Sequence, residues 1–300
     1  MTLPRRLLPG SSYLITRRCI QRQFLLTPDR AIKDIFLFCL AHAAKEHGIE
    51  VHVATCLSNH FHLVVTDVEA RLPAFMHWLD LHMAKCVNAY RGRWGALFEP
   101  ESYSGVELIE SADVFDKMIY TLINPVKSGL VGHGCEWPGF RSRPEDIDER
   151  EYVIERPRVC FSARGPVPEE VRLTFVRPRH FGDRSAEDFR ETLGRRYRDL
   201  EGSIRRRFDE EGRKFVGRRG VLEQDPCGTP RSYEERRGLN PRIAAGRKWP
   251  RIMAIQELQT FRRQYPEALA RYRGGDREVI FPAGTYAMRV RFGVRCRRPP

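Results

Sequence analysis

Apolar residues over 31–47 (Ile32, Ile35, Phe36, Cys39, Leu40 and Ala43) recur at intervals of three and four, the stripe of an amphipathic helix. Thr27-Pro28-Asp29 reads as its start and Gly48 as its stop. Before it, Ser12-Tyr13-Leu14-Ile15-Thr16 reads as a strand ending at Arg17 and Arg18, with a turn through Arg22-Gln23 into Phe24-Leu25-Leu26. After it, two β-like runs over 49–56 and 61–65 are placed to pair as neighbours. Leu72, Phe75, Met76, Leu79, Met83, Val87 and Tyr90 predict a second helix, closed by Gly92, and residues 97–109 read as extended chain. Ser111 and Asp113 open a third helix through Val114, Met118, Leu122 and Ile123. It is expected to end near Asn124, because Pro125 disfavours α conformation in the residue before it. This alternation predicts an α+β fold with helices on an antiparallel sheet.

The second half reads differently. Residues 141–150, with Pro144 and seven charges, carry no period, and residues 156–185 hold four prolines among many arginines. The expected organisation is a first domain over 1–145, a Pro/Arg-rich linker over 146–185, and a basic, mostly helical accessory domain over 186–300. In the last, Phe189, Leu193, Tyr197, Leu200, Ile204 and Phe208 predict one amphipathic helix over 186–214. Its other face carries Arg190, Arg195, Arg198, Arg205, Arg206 and Arg207. A helix over 252–272, broken at Pro266, and a closing hairpin from residues 279–281 and 288–294 complete the expectation.

Charge sharpens the division. The 300 residues carry 52 Lys+Arg against 39 Asp+Glu, net +13, yet residues 1–150 hold 17 basic and 18 acidic side chains, so the whole excess lies beyond them. Only seven of the basic residues are Lys; an excess so rich in Arg favours a polyanionic partner, with arginine neutralising phosphate and Trp249, Tyr265 and Tyr272 placed to stack on bases. No apolar run approaches the ~20 residues of a membrane span, which leads to the expectation of a cytoplasmic, nucleoid-associated protein. The eight cysteines form no CxxC pair, which argues against a zinc finger, and several read as small buried hydrophobes in a reducing cytoplasm.

Candidate chemistry concentrates in two segments. In Ser58-Asn59-His60-Phe61-His62, a strand would project His60 and His62 from one face, where they could chelate a divalent metal or stand as paired structural histidines. In Tyr120-Thr121-Leu122-Ile123-Asn124-Pro125-Val126-Lys127, Tyr120 and Asn124 are neighbours one helical turn apart, so a phenol and an amide oxygen could meet such a metal. Asp113 and Asp116 read as helix N-terminal charges. No HxHxDH pattern and no GxxxxGK[ST] P-loop is present.

Together these residues resemble the HUH-type single-tyrosine transposases, and among them the REP-associated tyrosine transposases. The resemblance rests on Asn59-His60-Phe61-His62, on Gly95-Ala96-Leu97-Phe98-Glu99, and on Tyr120 with Asn124-Pro125-Val126-Lys127-Ser128-Gly129-Leu130-Val131, and it spans roughly residues 10–142. Ser58 departs from the family, which usually has proline there. The resemblance implies a ferredoxin-like antiparallel sheet with helices (the HUH nuclease fold) and Mg²⁺ or Mn²⁺ held by His60, His62 and Asn124. It implies that Tyr120 is the nucleophile that cuts and rejoins single-stranded DNA beside hairpin or palindromic elements, through a 5′-phosphotyrosine link. Arg18 and Lys127 are the candidate phosphate contacts near the site; Arg195, Arg198, Arg205 and Arg206 are those of the extension. A domesticated DNA- or RNA-hairpin-binding protein and a replication-initiator nickase are the alternatives. The extra domain favours a monomer over a homodimer.

Overall fold

The computed structural model describes residues 4–100, 103–162, 164–231 and 241–299. Its elements run β1 (Ser11–Arg18), α1 (Arg30–His47), β2 (Ile49–Cys56), β3 (His60–Asp67), α2 (Leu72–Arg91), β4 (Ser104–Leu108), α3 (Ser111–Lys127), β5 (Glu151–Glu155), β6 (Glu170–Thr174), α4 (Ala186–Glu210), α5 (Gly217–Leu222), β7 (Ile243–Ala244), α6 (Lys248–Arg273) and α7 (Ala287–Phe292). Of the run expected to be extended over 97–109, Glu101 and Ser102 lie outside the described residues.

The first four strands form an antiparallel sheet in the order β2-β3-β1-β4, and β7 adds in parallel to β4. The βαββαβ chain order with this strand order is the ferredoxin-like arrangement expected. Asp29 caps α1 by accepting from the Ile32 N–H at 2.8 Å, and Gly48 ends it at φ 62°, a left-handed conformation in which glycine carries no Cβ penalty. On β3, Phe61 turns to the α1 side, its ring 5.6 Å from that of Phe36, whereas His60 and His62 leave by the opposite face, which α3 covers. No helix among the described residues is long and apolar enough to cross a membrane.

Pro125 lies inside α3 rather than ending it. Proline supplies no N–H to the carbonyl four residues back, which is that of Thr121. The buried Thr55 hydroxyl of β2 donates to that carbonyl at 2.8 Å, so the sheet meets the helix's missing hydrogen bond and α3 runs one further turn.

Residues 146–185 are not a linker. They contain the β5–β6 hairpin, whose Ile154, Val171 and Leu173 are buried in the main core, and Phe175 stacks on Phe140 at 5.7 Å. Only alternate positions along such short strands face inward, and the intervening arginines and prolines hide that period. The chain leaving β6 covers the outer edge of β2: the Val176 N–H donates to the Val51 carbonyl, and His52, at a bulge in β2, donates from Nδ1 to the Val176 carbonyl at 2.7 Å. That fixes the tautomer, so Nε2 accepts from the Thr66 hydroxyl and Thr66 in turn accepts from Ser12.

Burial pushes His52 down to about 4. The unfolded chain, with an ordinary histidine near 6.5, therefore binds the extra proton, and stability present above pH 6.5 is lost as pH falls towards 4. The loss amounts to ~3 kcal/mol at most. Urea unfolding of wild type and His52→Asn at pH 7.5 and 5.0 should show a smaller acid-induced drop in the variant; equal drops would remove His52 from the account.

Three further expectations change. The helix α6 continues through Pro266, and residues 287–292 are helical rather than the second arm of a hairpin. Tyr265 and Tyr272 pack on Phe281 in a small second core, so they are not base platforms, while Trp249 is 72% exposed at the end of β1 opposite Arg18. Cys86 and Cys160, 74 residues apart, form a disulfide, because packing of Phe161 on Phe38 and His82 brings that loop to α2. Cys19, Cys39 and Cys56 are free and buried, as expected of small hydrophobes.

Candidate active site

Three elements converge on one face of the sheet. Antiparallel register sets Thr16 opposite His62 and Arg18 opposite His60, so all four side chains share that face. The two imidazole rings lie 4.8 Å apart at 86°, and the Tyr120 ring of α3 stands edge-on to His62 at 5.4 Å. The structure thus joins the two segments that carried the candidate chemistry, 58 to 60 residues apart in sequence.

Hydrogen bonds orient the histidines. The Asn59 amide donates from Nδ2 to the Arg22 carbonyl at 3.2 Å, which turns its Oδ1 to His60 Nδ1 at 2.6 Å. His60 therefore donates from Nδ1 and presents the lone pair of Nε2. His62 is anchored the same way, its Nδ1 2.8 Å from the Thr16 hydroxyl. Burial, and then the nearby charges of Arg18 and Arg22, push His60 well below the usual histidine range; burial, His60 and Arg18 do the same to His62. Both rings are consequently neutral near pH 7, the form that binds a metal. An anchor of this type is worth about 10–100-fold in metal affinity. Asn59→Ala should therefore weaken any Mn²⁺ binding to the protein by about that factor, which a Mn²⁺ titration of wild type and variant checks.

Asn124 is buried one turn beyond Tyr120, its Oδ1 accepting from the Ser128 hydroxyl at 3.0 Å and keeping a second lone pair. The Lys127 ammonium sits 4.7 Å from the centre of the Tyr120 ring and that of Lys117 5.8 Å from it, so two cations flank the phenol. Lys117 escaped the sequence reading, although its place one turn before Tyr120 is the signal that could have found it. Asp113 is a cap: it accepts from the Glu110 N–H at 3.0 Å and from the Gly246 N–H at 2.6 Å.

A cavity of about 450 Å³ between α3 and α4 holds Tyr120, Lys127, Asp116, Arg196 and Arg207. Arg195, Arg198, Arg205 and Arg206 are exposed on α4 and line neither this cavity nor a second one beside His60. The helical stripe identified the buried face of α4 but not which arginines at its margins line the cavity with Tyr120.

No protein-family model matches the chain, and no curated protein matches it. Among solved structures, it is similar to that of a REP-associated tyrosine transposase bound to a REP hairpin, with 17% identity and a TM-score of 0.41 over 49% of this chain and 84% of the other. It is also similar to a protein of Deinococcus radiodurans R1 provisionally described as a transposase, with 17% identity and a TM-score of 0.30 over 40% of this chain and 95% of the other.

Proposed function

We propose that this protein is a metal-dependent DNA transesterase of the transposase type, which cuts and rejoins single-stranded DNA beside a hairpin with Tyr120 as nucleophile. The observation that carries this reading is the edge-on contact of Tyr120 with His62, beside a second imidazole whose Nε2 lone pair is fixed by Asn59.

The donor set fits an open divalent-ion site. Two neutral imidazoles and the amide oxygen of Asn124 are available, and among the described residues no three His, Cys, Asp or Glu side chains gather to close a metal centre. Such a set leaves coordination positions for water and phosphate oxygen, which suits Mg²⁺ or Mn²⁺ better than structural zinc. When bound, the ion supplies Lewis-acid polarisation of a phosphate oxygen. With Arg18 and Arg22 close by and no carboxylate among the proposed ligands, DNA phosphate supplies the missing negative charge, so DNA and metal should bind cooperatively.

The residues of the chain perform the rest. Lys117 and Lys127 bring positive charge beside the Tyr120 ring, where the phosphate must approach. The phenolic oxygen attacks phosphorus, the bond from phosphorus to O3′ breaks, and the phenol's proton is balanced by the proton taken up at O3′. The products are a 5′-phosphotyrosyl strand and a free 3′-OH. One phosphodiester replaces another of similar energy, so a later 3′-OH reverses the step without ATP. Arg196 and Arg207, beside Tyr120, hold the strand's phosphates.

The test uses labelled single-stranded hairpins taken from sequence flanking the gene, incubated with the protein and Mn²⁺. The account predicts an upstream fragment with an extendable 3′-OH and a downstream fragment retained by protein. Salt-sensitive binding without cleavage on any hairpin polarity would instead support a hairpin-binding protein that has left catalysis behind.

A further inference from the structure

The helix that carries Tyr120 and Asn124 is held at both ends by the C-terminal half of the chain. At its start, Asp113 accepts from the Glu110 N–H with one carboxylate oxygen and from the Gly246 N–H, at 2.6 Å, with the other. Glu110, the N-cap of α3, receives Arg247, whose Nε lies 2.7 and 3.0 Å from its two oxygens. This segment is itself fixed to the sheet, because the Glu107 and Ile109 N–H groups donate to the Arg242 and Ala244 carbonyls. Beyond the other end of α3, the Val216 and Gly217 N–H groups donate to the Gly129 and Leu130 carbonyls, both at 2.9 Å. Gly129 turns at φ 71°, and a Cβ there would stand 3.1 Å from the Phe208 ring, so the turn that ends α3 lies directly against α4. Phe208 stacks in turn on Phe215 at 4.5 Å. Between the two ends, Phe115 of α3 meets Phe189 of α4 edge-on at 6.1 Å.

The last turn of α3 is where such support counts most. Pro125 gives no N–H to the Thr121 carbonyl, so the turn that carries Asn124 and Lys127 is joined to the rest of the helix by one hydrogen bond fewer. Its position therefore depends on what holds the chain just beyond it. A shift of about 1 Å between groups that must act together costs on the order of 100-fold in rate.

We infer that the C-terminal half is a splint for the helix that carries Tyr120: it sets α3 against His60 and His62, with the Val216 N–H and Arg247 as its positioning groups. This gives that half a role apart from its arginine charge, and one that lies outside the residues over which the family resemblance runs. The resemblance ends near residue 142, whereas the groups that grip α3 come from residues 189–247. The inference rests on the transesterase reading above and adds to it the means by which the nucleophile is kept in place.

Val216 stands at φ −59°, the angle proline imposes, and is half exposed, so Val216→Pro deletes the N–H with little else. Val216→Ala keeps that N–H, and Arg247→Gln loosens the other end of α3 at an exposed position. The full chain and these variants are compared by hydrogen exchange of α3, by melting temperature, and by kcat and KM for Mn²⁺-dependent hairpin cleavage. Val216→Pro should speed exchange in the last turn of α3 about tenfold or more. It should lower kcat by about 10–100-fold and leave KM within about twofold. Val216→Ala should match wild type, and Arg247→Gln should speed exchange at the start of α3 and lower kcat by about two- to threefold. A raised KM with unchanged kcat in Val216→Pro overturns the inference, because the half then binds DNA without positioning the helix. Unchanged exchange in α3 overturns it as well, and so does a loss of kcat in Val216→Ala equal to that in Val216→Pro. If Val216→Pro melts far below wild type, Arg247→Gln decides, and an unchanged kcat there overturns the splint. A wild type that cuts no hairpin removes the transesterase, while exchange of α3 in Val216→Pro still decides for or against the splint.

Discussion

Replacing Tyr120 by Phe should reduce strand cleavage by about a thousandfold or more, to background, while leaving the fold and DNA binding close to wild type. The expectation follows from what the ring and the hydroxyl each do. The ring packs against His62 and beneath Lys127, contacts that phenylalanine keeps, and Tyr120 is only partly buried. The hydroxyl has no hydrogen-bond partner among the described residues, so its removal leaves no buried group unsatisfied. What disappears is the atom that would bond to phosphorus. A parallel loss of binding or of melting temperature would mean that Tyr120 is a structural aromatic.

His62→Ala should be nearly as severe in cleavage, a loss on the order of 10²–10³-fold, but with a different signature. On the proposed reading it removes one of two imidazole ligands; it also removes the ring against which Tyr120 rests and leaves the Thr16 hydroxyl without its partner. Dependence on Mn²⁺ should flatten, because the remaining imidazole and amide are too few ligands to hold the ion at ordinary concentrations. Residual cleavage by His62→Ala should therefore respond little to added metal, whereas the residual activity of Asn59→Ala, whose ligands are intact, should recover at high Mn²⁺. Rates measured across a metal titration separate the two; identical curves would contradict the assignment of His62 as ligand and Asn59 as its neighbour's anchor.

The core was legible because its signals are local. Stripes such as Ile32, Ile35, Phe36, Cys39 and Leu40 announce a helix without help from the rest of the chain, and an HxH pair in a strand must share a face. The convergence of Tyr120 on His62 was open as a possibility from the donor chemistry of the two segments and became an expectation with the family resemblance, since no local period links positions 58 residues apart. The misreadings arose where a distant group overrides a local rule. Pro125 should end a helix, but the Thr55 hydroxyl, 66 residues away at its acceptor, meets the carbonyl that proline leaves. The hairpin over 151–174 buries side chains that look isolated among arginines, because its partner surface is Phe140 and α1 rather than its own sequence neighbours. The arginine count pointed to a polyanion, but which arginines line a cavity with Tyr120 depends on how α4 packs against α3, and these are Arg196 and Arg207.

The central claim is a covalent bond between Tyr120 and DNA, and mass spectrometry tests it most directly. Protein incubated with a cleavable hairpin and Mn²⁺ is denatured, treated with nuclease and digested with trypsin, which yields the peptide of residues 118–127, MIYTLINPVK. The account predicts that this peptide carries a nucleotide phosphate on Tyr120, only when metal is present. An unmodified peptide alongside cleaved DNA, or a nucleotide on another residue, would contradict it.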